Sequence, residues 1–347
     1  MKTSHIRVFI LFGLALWLSS FHSTLSCIVV AQTDSTTASA ILARGMDLYR
    51  QNKYAEAASA LRQAIKENKA DADAWHYLGL ALIKDPKRLK DASKAFETAA
   101  NLRPNFAAAH TGLAYTFLLR GKTNEAAREA QAALNIEPNI AEAYYIMGVT
   151  RLRAGDKGEA LRNSEMAIKL QPRLGAAYLL KSQALVSFSG DVLISKTDEP
   201  QGTGNSRYSE AATALEKFLE LSPNAADTIV WTEQLESLRF YVNATQPNGA
   251  KLVYSGKEVR TKARVISKPE PVYTELARSN GVIGTVVLRC IFTADGYVKH
   301  LLIVQALPFG LTEQAIKAAR RIKFLPATID DRPVSMYLQL EYNFNLY

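Results

Sequence analysis

Small and bulky apolar residues recur along the middle of this chain on one period. Gly45, Gly79, Ala114 and Gly148 stand 34, 35 and 34 residues apart. Ala57, Ala92, Ala126 and Ala160 follow at 35, 34 and 34, and Pro104, Pro138 and Pro172 at 34 and 34. Each period predicts two amphipathic helices around a polar turn, such as Gln51-Asn52-Lys53, Arg120-Gly121-Lys122 or Ala154-Gly155-Asp156. In Trp75…Leu78-Gly79, His110…Leu113-Ala114 and Tyr144…Met147-Gly148 a bulky and a small residue share one helix face. The small residue lets the neighbouring helix approach closely. An acidic residue precedes the packing alanine each time (Glu56, Asp91, Glu125, Glu159, Glu210), near a helix start where the dipole favours negative charge. Proline closes the second helix of most periods.

The fifth period is stretched. Ala160 to Ala211 and Pro172 to Pro223 are both 51 residues, one period plus 17. The surplus falls near 187–206, where Ser189-Gly190-Asp191 and Asp198–Asn205 carry loop chemistry, so a loop insertion in the inter-helix turn is expected. Ala225–Tyr241 reads as the helix that caps the last repeat. The 34-residue register and its small-residue positions resemble the tetratricopeptide family over about 38–242. That resemblance implies an all-α helical solenoid of about five repeats whose first helices line a concave peptide groove. The register assigns Tyr49, Arg50, His76, Lys84, Tyr115, Tyr145 and Arg153 to groove-facing positions, suited to a peptide with carboxylates and apolar side chains. Each could instead stack between repeats, and His76 and His110 read as structural. The Lys/Asn set that clamps a terminal carboxylate in chaperone-binding members is absent.

After a polar linker, 243–258, the period changes from helical to alternating. Gly284–Phe292 and Val298–Gln305 read as strands around the turn Asp295-Gly296. Leu311–Lys323 has helical spacing, and Val334 to Phe344 alternates apolar and polar as a strand with one wet face. The pattern predicts a small α+β domain, 259–347, with a three-stranded antiparallel sheet. Its motifs are Lys268-Pro269-Glu270-Pro271-Val272-Tyr273, Ala277-Arg278, Gly284-Thr285-Val286, Asp295-Gly296-Tyr297-Val298, Phe324-Leu325-Pro326-Ala327 and Pro333-Val334. These resemble the C-terminal domain of TonB. Two positions depart from that family: Thr274 follows the tyrosine where proline is usual, and Asp331 stands where glycine is usual. The resemblance implies capture of an extended segment of an outer-membrane transporter as an added strand on the edge of the final strand. Ser335, Tyr337, Gln339, Glu341 and Asn343 are the expected edge, with Pro271 and Tyr273 nearby. Five or six backbone bonds at about 0.5–1.5 kcal/mol net each predict micromolar-type binding.

The first 31 residues read as a signal peptide. Lys2 and Arg7 precede the 11-residue apolar run Val8–Leu18, and Val29-Val30-Ala31 suits cleavage before Gln32. An uncleaved N-terminal anchor is the alternative, which would add membrane association. Cleavage leaves Cys290 alone in an apolar run, a buried small hydrophobe. The net charge of +9 is mild and shows no basic–aromatic pattern, so no nucleic-acid partner is expected. No metal-ligand spacing, phosphate loop or nucleophile elbow is present, so no catalytic residue, metal or cofactor is expected. The function expected is a periplasmic TonB-like adaptor, non-enzymatic, engaging a transporter through its last domain and a second protein through its repeats. An anchored energy transducer and an envelope scaffold unrelated to transport are the alternatives. Paired sheet edges would allow a homodimer.

Overall fold

The structure, a computed structural model, describes residues 37–194, 203–225, 228–243 and 252–345. The expected signal segment, 1–31, lies outside them. The chain forms a helical solenoid followed by a small α+β domain. The solenoid helices are α1 (37–50), α2 (Tyr54–Glu67), α3 (Ala72–Leu82), α4 (Leu89–Leu102), α5 (Ala107–Leu119), α6 (Thr123–Ile136), α7 (Ala141–Arg153), α8 (Lys157–Leu170), α9 (Gly175–Ile194), α10 (Thr203–Leu221) and α11 (Thr228–Val242).

The small-residue positions explain the packing. A Cβ added at Gly79 would sit 2.7 Å from the Phe96 ring, and one at Gly148 would sit 2.6 Å from Leu180. Ala57, Ala92, Ala126 and Ala160 are all completely buried. Glu56, Asp91, Glu125 and Glu159 sit in the first turns of α2, α4, α6 and α8, where the helix dipole stabilises a carboxylate by about 0.3–1 kcal/mol. Glu210 does not sit so. Helix α10 begins seven residues before it, and its carboxylate pairs instead with Lys181 at 2.7 Å.

That early start reflects a correction to the expected insertion. Much of 187–206 is helix, because α9 runs on to Ile194 and α10 begins at Thr203; residues 195–202 lie outside the described residues. The linker is corrected too. Its described residues are not a spacer: Val253 is buried and Tyr254 pairs with the last strand.

The C-terminal domain comprises β1 (Arg264–Ser267), α12 (Glu275–Asn280), β2 (Gly284–Phe292), β3 (Val298–Gln305), α13 (Leu311–Ala319), β4 (Lys323–Leu325), β5 (Ala327–Ile329), β6 (Arg332–Val334) and β7 (Met336–Phe344). The helix expected to reach Lys323 stops at Ala319, and the chain turns into β4. The main sheet is antiparallel, order β3-β2-β7, with an unbroken β2–β7 register from Gly284↔Phe344 to Phe292↔Met336. One face carries Val286, Leu288, Cys290, Phe292, Leu301, Ile303, Leu340, Tyr342 and Phe344 against α12 and α13.

The opposite face is not simply wet. Ile291, Leu302, Val304 and Tyr337 join a core with Leu185, Val186, Tyr208, Leu235, Leu238 and Tyr241 of the solenoid. The sheet is thus sandwiched between its own helices and α9–α11, and the two units share one hydrophobic core. Burial of this kind stabilises at about 25 cal/mol per Å² of apolar surface.

Candidate functional site

Two surfaces of this assembly have binding chemistry: the outer edge of β7 and the concave side of the repeats. Strand β7 lies at the end of the sheet, and the unbroken register with β2 fixes which backbone groups point outward. The Tyr337 N–H donates outward to the Tyr254 carbonyl at 3.0 Å, and the Ser335 carbonyl accepts from the Tyr254 N–H at 2.9 Å. By the two-residue alternation of a strand, the backbone of Gln339, Glu341 and Asn343 points the same way.

The edge therefore has two parts. At Ser335 and Tyr337 it is already occupied by Tyr254, which runs parallel to it. From Gln339 to Asn343 no described backbone pairs with it. The Glu341 carbonyl accepts from the Lys268 ammonium at 2.8 Å, which also lies 4.5 Å from the Tyr342 ring centre. A cavity of about 540 Å³ opens beside this stretch, lined by Lys268, Glu270, Pro271, Tyr273, Arg278 and Asn343 among others. Tyr273 has a structural anchor as well. Its hydroxyl donates to the Val282 carbonyl and its ring meets Phe344 edge-on at 5.8 Å. Thr274, in place of proline, caps α12 by accepting from the Ala277 N–H and donates to the Phe309 carbonyl at 2.7 Å. The substitution exchanges a rigid φ for a capping bond.

The concave side is largely taken. Helix α11 and the sheet pack across it, and Asn280 donates to the Pro86 carbonyl at 3.2 Å beyond α3. Of the sequence-assigned groove residues, the structure brings Tyr115, Tyr145 and Arg153 together. They line a cavity of about 260 Å³ whose opposite wall is the 303–313 stretch of the C-terminal domain. Burial pushes the Tyr145 phenol up to about 12 and lowers Arg153 below its ordinary value. The Arg153 guanidinium donates to the Leu118 carbonyl at 3.3 Å.

The remaining assigned residues lie elsewhere. Tyr49 packs between Tyr54 and Tyr77 at 5.6 and 6.1 Å, the Lys84 ammonium lies 5.5 Å from the Tyr54 ring, and Arg50 is exposed. His76 is not in the groove. It is buried against Tyr77, Phe96 and Phe106, and burial lowers its pKa to about 4.

Sequence reading missed the residues that seat the sheet. Arg289, 2% exposed, donates to the Val186 carbonyl and to the Tyr208 hydroxyl, both at 2.9 Å. The Gln234 amide donates to the Leu301 carbonyl at 2.7 Å and accepts from the Ile303 N–H at 2.6 Å. One side chain thus serves a donor and an acceptor on the outer edge of β3 as a neighbouring strand would. The signal for Arg289 was its place as a lone cation in an otherwise apolar run, since a charge is tolerated there only when partnered.

Residues 269–346 match the family model of the Gram-negative bacterial TonB protein C-terminal, and residues 42–88 match a tetratricopeptide repeat model. Both are modules of a kind that binds proteins. No curated protein matches the chain. Among solved structures it is similar to a thermophilic TPR protein of Thermus thermophilus, at 19% identity, covering 58% of this chain and 99% of that one with a TM-score of 0.44. It is similar to pilF of Pseudomonas aeruginosa at 15% identity, covering 60% and 93% with a TM-score of 0.43. It is also similar to MamA of Desulfovibrio magneticus at 19% identity, covering 54% and 93% with a TM-score of 0.39.

Proposed function

We propose that this chain, tetratricopeptide repeats joined to a TonB C-terminal domain, is an exported adaptor that captures an extended segment of an outer-membrane transporter on β7. The observation that carries the reading is the open backbone edge from Gln339 to Asn343, beside the 540 Å³ cavity. The outward donors and acceptors there can extend the sheet by one strand, with backbone bonds giving affinity and the cavity selecting side chains. About five bonds at about 0.5–1.5 kcal/mol net, less ordering, place the affinity in the micromolar range.

The repeats act differently from the groove reading of the sequence. Their concave side between α5 and α11 holds the C-terminal domain, so a second protein has the first repeats to use, around Tyr49, Arg50 and Lys84. An N-terminus beginning at Gln32 makes the protein a soluble periplasmic adaptor. One that keeps Met1 makes it an inner-membrane-anchored transducer, and intact mass of the envelope fraction separates the two.

The test of strand capture uses Glu341→Pro in the full chain. Its N–H points away from β2, so proline removes an edge donor without removing a ladder bond. Synthetic peptides tiling the periplasm-facing extended segment of outer-membrane transporters should bind the parent by calorimetry and lose about tenfold or more with Glu341→Pro. Equal binding by parent and variant, with an unchanged fold by circular dichroism, overturns capture on β7. Recovery of cell-wall or secretion machinery in place of any transporter would favour an envelope scaffold.

A further inference from the structure

The segments 259–268 and 317–326 contain no Asp or Glu. Strands β1 and β4 pair them side by side, with Arg264 opposite Leu325 and Ser267 opposite Lys323. All four side chains of β1 are exposed, so the strand stands out as a ridge with solvent on both faces. Val265, Ile266 and Leu325 on this ridge are 43%, 62% and 47% exposed. Lys262, Arg264, Lys268, Arg321 and Lys323 surround them in solvent, and none pairs with a described carboxylate. The nearby acidic groups, Glu270 and Glu341, lie on the cavity side, toward β7.

Each half of this surface has its own preferred surroundings. Unpaired cations favour phosphate oxygens, and aliphatic side chains favour hydrocarbon. A nucleic acid would satisfy the first and leave Ile266 in water, and no described aromatic ring stands on the ridge to stack a base. A folded acidic partner would have to supply a groove shaped for a protruding strand. A bilayer interface meets both demands, because headgroups yield to a ridge while the acyl boundary lies a few ångströms beneath them.

We propose that the β1–β4 ridge is a docking surface for an anionic phospholipid bilayer. Headgroup phosphates meet Arg264, Arg321 and Lys323, and Val265, Ile266 and Leu325 enter the boundary with the acyl chains. This surface is distinct from the outward backbone of β7 and does not depend on strand capture. Because Lys268 touches both, docking would hold the β7 edge close to the membrane surface.

The experiment is cosedimentation of the full chain with vesicles of phosphatidylglycerol and phosphatidylethanolamine, against vesicles of phosphatidylcholine alone. The neutral vesicles report whatever residues 1–31 contribute. Each cation near an anionic surface is worth about fivefold in partitioning, so Arg264→Gln with Lys323→Gln should lose roughly 25-fold on the anionic vesicles. Ile266→Ser should lose several-fold, and raising salt should weaken the parent but not the residual neutral binding. These side chains are solvent-exposed, so circular dichroism should be unchanged. Equal binding to both vesicle types, or variants that bind like the parent, overturns the proposal. Loss with the charge variants but none with Ile266→Ser, together with release by a soluble polyanion, also overturns it, in favour of a purely electrostatic acidic partner.

Discussion

The seating of the sheet on the solenoid rests heavily on Gln234, and its contribution can be worked out from the groups it serves. The side chain is 6% exposed and bonds both the Leu301 carbonyl and the Ile303 N–H. Gln234→Ala leaves those two backbone groups facing an apolar interface, at about 1–3 kcal/mol each. The one lost methylene adds about 0.8 kcal/mol. The expected destabilisation is about 3–7 kcal/mol, the lower end applying if water enters the space. Urea unfolding of the full chain measures the total. Hydrogen exchange at the Ile303 amide measures the local part, because that N–H points away from β2 and has the Gln234 carbonyl as its partner. Gln234→Glu supplies a sharper check. A carboxylate can accept from Ile303 but repels the Leu301 carbonyl, whereas a protonated carboxyl can serve both groups. Burial and the carbonyl raise the pKa of that carboxyl, so the variant's deficit relative to the parent should shrink as pH falls. A change below about 0.5 kcal/mol for Gln234→Ala, unaltered exchange at Ile303, or a Glu deficit that grows in acid would refute the reasoning.

Other outcomes follow from the same structure. Gly79→Ala should destabilise by about 1–3 kcal/mol in urea unfolding, because the new Cβ lies 2.7 Å from the buried Phe96 ring. Asp331 holds φ +62° in the β5–β6 turn, so Asp331→Gly should raise stability by about 0.5–1 kcal/mol, read as an increase in melting temperature. His76 has its pKa lowered to about 4 by burial, against about 6.5 in the unfolded chain. The unfolded state therefore binds the extra proton, and stability is lost as pH falls from about 6.5 to 4, by about 3 kcal/mol. His76→Phe should remove that share of the acid sensitivity, and an identical pH slope for parent and variant would contradict the assignment.

How much of this was legible in the sequence depended on whether a pattern had one physical cause. The repeat was readable because Gly79, Ala92 and their equivalents answer to a single demand, close helix approach. Strands β2 and β3 were readable as strands, but their surroundings were not read from them. Val286-Val287-Leu288 and Leu301-Leu302-Ile303-Val304 are nearly continuous apolar runs, the mark of a strand buried on both faces. β7 alternates more strictly, and Gln339, Glu341 and Asn343 keep solvent beside them as that pattern implies. The groove positions were harder. A tetratricopeptide register says which side chains point inward, not whether another part of the chain is already there. His76 shows a second limit, since a ring at an inward position can turn between repeats when Phe96 and Phe106 offer it an apolar seat.

The shared core also sets how tension would travel. A segment lying along β7 and drawn lengthwise would load its backbone bonds together in shear, rather than peel them one by one. From β7 the pull would pass across the ladder to β2 and β3, and then through Arg289 and Gln234 into α9, α10 and α11. The domain would therefore not swing on a tether. The stacked helix pairs behind it would bear the strain in series, as the compliant element of the assembly.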